Sequence, residues 1–126
     1  MRKYRASRDE IFSYFYAKEH DFVKAMGLCY FAYAWGLVFL GCEIAPFRFK
    51  KTDVGPIDKS LFDFTETRVV LDSRLSDYLY FIWTKYGRYT GDQVMARIKK
   101  QPPYKNATVN ISKRSIAKFF KLFRKK

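Results

Sequence analysis

Few residues in this chain could do chemistry, and they fall into two groups. The first holds one histidine, His20, two thiols, Cys29 and Cys42, and the carboxylates Asp53 and Asp58. A nucleophilic thiolate needs a base or a neighbouring cation to lower its pKa. Both thiols instead lie in or beside an uncharged apolar run, where a free Cys packs as a small hydrophobe and its pKa rises. Asp53 precedes Gly55 and reads as a turn residue. Asp58 follows Pro56 and reads as a carboxylate in a first helical turn. The chain has no GxxxxGK[ST] loop, no GxGxxG, no CxxC and no HExxH. The expectation is a non-enzymatic protein that uses neither a metal nor a cofactor.

The second group is cationic. The 126 residues carry 25 Lys and Arg against 12 Asp and Glu, a net charge of +13. From Gln93 to the C-terminus there are eleven basic residues and no acid, while the first 92 residues hold 14 basic and 12 acidic ones. Such asymmetry directs one end of a chain toward a polyanion or an acidic partner. The residues singled out as a partner-binding face are Lys99, Lys100, Tyr104, Lys105, Lys113, Arg114, Lys118, Lys121 and Arg124. Three readings stay open for the last helix. Its apolar stripe docks on the core with the charges solvated, the charges meet phosphates, or the helix lies on an anionic membrane.

Those residues must be positioned by helices. Ser7-x-x-Glu10 is a capping box, and Ile11, Phe12, Phe15 and Tyr16 follow at helical spacing, so a first helix runs to about Lys18. Asp21 caps a second helix that begins at Phe22 and stops at Gly41. It contains Ala25 to Cys42, eighteen residues without a charge, at the lower edge of what spans a bilayer. A helix apolar all round also suits the centre of a small globule, and that reading is preferred here. Tyr30, Phe31, Tyr33 and Trp35 within it read as core rather than as a platform for stacking bases. Phe47 to Lys50 alternates like a half-buried strand, and Thr67 to Leu71 is a second β-prone piece. Between them Gly55-Pro56 opens a short helix with Leu61 and Phe62 buried. Asp72 or Ser73 starts a helix that Gly87 ends. Thr90-x-x-Gln93 caps another, which Pro102-Pro103 stops. Residues 106–111 link to a final helix capped by Ser112, with Ile116, Phe119, Phe120 and Phe123 as its stripe. The fold class expected is mainly α, a single compact bundle of five to six helices with a small two-stranded β element.

Four segments, in order, resemble one family. KAMGLCYFAYAWGLVFLG is similar to the helix that opens Panacea domains, the SocA-like antitoxin-associated domains of bacteria and phages. PFRFKKTDVGPIDKSLFD resembles that family's strand, Gly-Pro element and short helix. WTKYGRYTGDQVMARIKKQPPYKNA is similar to its Tyr-Gly helix and proline turn, with Tyr104 where the family has Trp. SKRSIAKFFK resembles its closing helix. The matching structural residues are Tyr30, Phe31, Trp35, Gly55, Pro56, Tyr86 and Gly87. The resemblance implies a cytoplasmic domain over residues 21–126, preceded by a basic lead-in and capped helix over residues 1–20. It implies a protein that binds and neutralises a toxin, or an adaptor that delivers it to a protease. A phage or mobile-element protein that blocks a host defence factor, and a basic nucleic-acid-binding regulator, are the alternatives.

Overall fold

A computed structural model describes residues 4–66 and 71–124, with the side chains of Phe123 and Arg124 outside the description. The described residues form six helices and one two-stranded antiparallel sheet. Helix α1 (Arg8–Glu19) starts at a complete capping box, in which Ser7 and Glu10 satisfy each other's backbone N–H. It ends at His20, in the left-handed conformation with φ 53. Asp21 then accepts from the N–H of Lys24 and caps α2 (Phe22–Phe39). Leu40 is the C-cap, and Gly41 follows with φ 70, so the expected stop is met within two residues.

Helix α2 is long and apolar enough to cross a membrane, but 83% of it is buried inside the fold. Helices α1, α3 (Ser73–Tyr86), α4 (Gly91–Lys99) and α6 (Lys113–Arg124) all pack on it. Helix α4 meets it at Gly27. A Cβ built on Gly27 would stand 2.5 Å from Cγ1 of Val94, so the two helices meet at a position where only hydrogen fits. The caps of α3 and α4 are those read from the sequence. Asp72 accepts from Leu75 N–H, and Thr90 and Gln93 form a second complete capping box. Ser112 accepts from Ser115 N–H at the start of α6.

The β element differs from the expectation. Thr67–Val70, most of the expected second strand, lies outside the described residues. The partner of β1 (Lys50–Lys51) is β2 (Pro56–Ile57), with Lys50 opposite Ile57 and Lys51 opposite Pro56. Gly55-Pro56 therefore opens a strand rather than a helix. The cause is a tight turn, since Thr52 and Gly55 exchange backbone hydrogen bonds at 3.0 and 3.1 Å and fold the chain straight back. The 3-10 turn Lys59–Asp63 begins only after Asp58, which caps it by accepting from Ser60 N–H. With three residues per turn, Leu61 points in and Phe62 out. Phe62 is 62% exposed, against the buried position expected, and stacks on Phe22.

The alternation of Phe47 to Lys50 holds for burial, with Phe47 and Phe49 inside and Arg48 outside. The ladder is shorter because Asp58 Oδ2 takes the N–H of Arg48 at 2.8 Å in place of a strand carbonyl. On its other edge this segment meets residues 109–111. Lys51 N–H donates to Val109 O, and Ile111 N–H donates to Phe49 O. β2 is thus an outer strand, where proline is tolerated. Pro102-Pro103 ends α4 as expected, and also opens a further short helix, α5 (Pro102–Lys105).

Gly55 carries φ 145, and a Cβ there would lie 2.5 Å from the Met95 sulfur. Gly55→Val combines backbone strain with overpacking, a loss of about 2–5 kcal/mol. Lys121→Ala alters an exposed side chain and is expected within about 0.5 kcal/mol of the parent. Chemical denaturation of the two variants checks this, and equal midpoints would contradict it.

Candidate partner-binding face

The basic residues chosen from sequence come from α4, α5, α6 and their connections. Arg114, Lys118 and Lys121 are exposed and fall at i, i+4 and i+7, which makes one stripe along α6. The opposite side of α6 buries Ile116 and Phe120 against the core. Lys100 and Lys105 are exposed, and Lys99 is half-buried at the end of α4. Lys113 is drawn toward the first half of the chain, with its Nζ 3.6 Å from Glu43. Arg124 ends α6, and its side chain lies outside the described residues. No acid stands within α6 to offset its charges.

Tyr104 is not part of the exposed face. It is buried in α5, donates its hydroxyl to the Thr52 carbonyl, and lies under the ammonium of Lys51 at 4.9 Å. Its phenol pKa is raised, first by loss of solvent and then by Asp53. Tyr104 therefore ties α5 to the turn before β2.

Between α5 and α6 runs a groove of about 290 Å³, lined by Pro102, Pro103, Phe119 and Leu122 and edged by Lys118. Leu122 is 60% exposed at its rim. This apolar strip was not singled out from sequence. The signal was present in Pro102-Pro103, which offers no backbone N–H, and in Leu122, one residue past the Lys118–Lys121 span and off the buried stripe.

The motif residues converge on the core side of the molecule. The Phe31 and Tyr86 rings stack at 3.9 Å, and Trp35 donates its indole N–H to the Tyr86 hydroxyl at 2.8 Å. Gly87 caps α3, and its carbonyl accepts from the buried Lys24 ammonium at 2.6 Å. That ammonium also pairs with Glu19 at 2.8 Å and sits 4.9 Å over Trp83. Tyr30 and Phe31 are inside, in agreement with their reading as core. The other chemical candidates are dispersed. Cys29 is fully buried, and loss of solvent pushes its thiol pKa well up, with Asp58 adding to the shift. His20 caps α1 and meets Tyr16 edge-on. Asp58 is buried and holds Arg48 N–H, Ser60 and Arg8, while Asp53 is exposed in the turn. No group of three or more His, Cys, Asp or Glu suited to a metal occurs among the described residues.

No family model matches the chain, and neither a curated protein nor a solved structure matches it.

One motif residue gives a direct test of this packing. The Tyr30 hydroxyl is buried and has no hydrogen-bond partner among the described residues. A buried unsatisfied polar group costs about 1–3 kcal/mol. Tyr30→Phe is expected to leave stability unchanged or raise it, read as the midpoint of thermal unfolding. A loss above about 1 kcal/mol would mean that the hydroxyl makes a bond essential to the fold.

Proposed function

We propose that this chain is a non-enzymatic, cytoplasmic protein-binding module of the antitoxin or adaptor kind. It neutralises a cognate toxin by direct contact. The observation that carries the reading is the α5–α6 groove, an apolar strip bordered by cations in a region of the sequence without acids. The ordered resemblance of four segments to Panacea domains points the same way. A groove of this type suits an acidic protein surface that offers one apolar anchor. Burial of the anchor against Pro103, Phe119 and Leu122 gives the energy, and the Lys and Arg rim gives rate and orientation. The stripe Arg114, Lys118 and Lys121 projects on the same helix, so partner and rim charges meet as the anchor seats.

A host defence factor could be held by the same chemistry, and the gene neighbourhood separates the two cases. A toxin partner places a growth-arresting reading frame beside this gene. The test is co-expression with that neighbour. The parent chain is expected to restore growth and to copurify. The triple change Lys118→Glu, Lys121→Glu and Leu122→Asp alters only exposed side chains, so its melting temperature should hold while affinity falls at least about tenfold. Association of the parent should slow steeply as salt rises. Rescue by the triple variant equal to that of the parent would remove this face from the mechanism. No rescue, together with a salt-sensitive shift of duplex DNA, would replace the reading with a nucleic-acid-binding one.

A further inference from the structure

A second feature lies away from the α5–α6 groove and does not rest on the antitoxin reading. Two adjoining clefts, of about 410 and 430 Å³, share Tyr89, Arg97 and Gln101. Each falls within the range of about 300–1,000 Å³ typical of small-molecule sites. Lys85, Arg88, Arg97 and Lys100 surround them, from the end of α3, the α3–α4 connection and α4. No carboxylate lines either cleft. Among the described residues, none of these four cations forms an ion pair. All four are exposed, and with no carboxylate in reach their mutual repulsion is relieved when an anion joins them.

The cations are also oriented. The Arg97 guanidinium lies 4.1 Å over the Tyr89 ring, and Arg88 donates to the Tyr89 hydroxyl at 3.0 Å. Planar guanidiniums steadied on a ring keep their remaining N–H groups in a fork that fits phosphate oxygens. The hydrogen bond from Arg88 lowers the Tyr89 phenol pKa against the opposing loss of solvent, and Arg97 adds to the lowering. The inner wall is aromatic. Trp35 and Tyr86 line it with the 8% of each that is exposed, since Phe39 stacks on Trp35, Phe31 stacks on Tyr86, and the Lys85 ammonium lies over both rings.

We propose that this double cleft binds a nucleotide, with its phosphates on Arg88 and Arg97 and its base against the exposed edge of Trp35 and Tyr86. The two elements answer different parts of such a molecule, anion and flat ring. A protein partner would not need both within one concavity of this size. The full chain has two tryptophans, which supply an internal control. Trp35 lines the cleft, whereas Trp83 lies under Lys18 and Lys24.

The test is titration of the ¹⁵N-labelled full chain with ATP, AMP, adenosine and pyrophosphate, each without magnesium. The Trp35 indole signal is expected to move with ATP and AMP while that of Trp83 stays. Affinity should fall in the order ATP, AMP, adenosine. Arg97→Ala should weaken ATP binding about tenfold, from loss of a paired, charge-assisted contact. Arg97→Lys keeps the charge without the fork and should also bind more weakly than the parent, which guards against a folding defect in the alanine variant. Lys121→Ala should bind within about twofold, since it lies outside the cleft and contributes only long-range charge. A silent Trp35 indole at millimolar ATP would overturn the proposal. So would pyrophosphate binding as tightly as ATP, or Lys121→Ala weakening ATP as much as Arg97→Ala.

Discussion

Burial of α2 on every side is the constraint from which the remaining structure follows. From Ala25 to Val38 every residue of this helix is buried, so no face can be left to water. A helix apolar around its whole circumference must be walled in completely, since every Leu- or Phe-sized side chain left exposed forfeits roughly 1.5–3 kcal/mol. Four helices and one strand supply that wall. The one charge in the buried stretch, Lys24, is tolerated because Glu19, the Gly87 carbonyl and the Trp83 face surround its ammonium. An unpaired charge at that depth would cost several kcal/mol. The ammonium thus links the end of α1 to the end of α3 at the entry of α2.

The same demand shapes the β element. Residues 44–49 lie along α2 but gain only a short ladder, and their polar backbone still needs partners. Asp58 meets part of that need. Its buried carboxylate accepts from Arg48 N–H, from Ser60 N–H and hydroxyl, and from Arg8, so one side chain joins α1, the extended segment and the 3-10 turn. Residues 109–111 complete the other edge and bring α6 back onto the core. The short strands are therefore held by α2 and Asp58 more than they hold themselves.

What was legible in the chain was local. Ser7, Asp21, Asp72, Thr90 and Ser112 each satisfy a donor three residues ahead, and all five start a helix where their spacing says. The uncharged run named the central helix for a similar reason, since its composition alone decides its burial. The strand partner was not legible, because a turn closed by Thr52 and Gly55 outcompetes a helix start at Pro56, and pairing is settled by geometry across the turn. The inward turn of Tyr104 depends on a carbonyl 52 residues away. The charge count pointed to residues 93–126 for the basic face. It missed the α5–α6 groove and the double cleft, since these join side chains from separate elements with no shared periodicity.

The distribution of charge also explains how an acid-free face can persist. The ion pairs among the described residues all draw on Glu19, Glu43 and Asp58, acids of the first half of the chain. Of the described cations beyond Gln93, only Lys113 reaches one of them. The cations of α4 to α6 thus add little to the fold beyond their packed stems, and exposed pairs would contribute only about 0–1 kcal/mol even if acids were present. Ile98, Ile116 and Phe120 are buried, and Phe120 meets Tyr30, Phe31 and Trp35 of α2 ring to ring. Because apolar contact carries the stability, the surface charge of the last third is free of a structural task. Mutual repulsion among those cations then works against the folded chain, and it is relieved when an anionic group binds there.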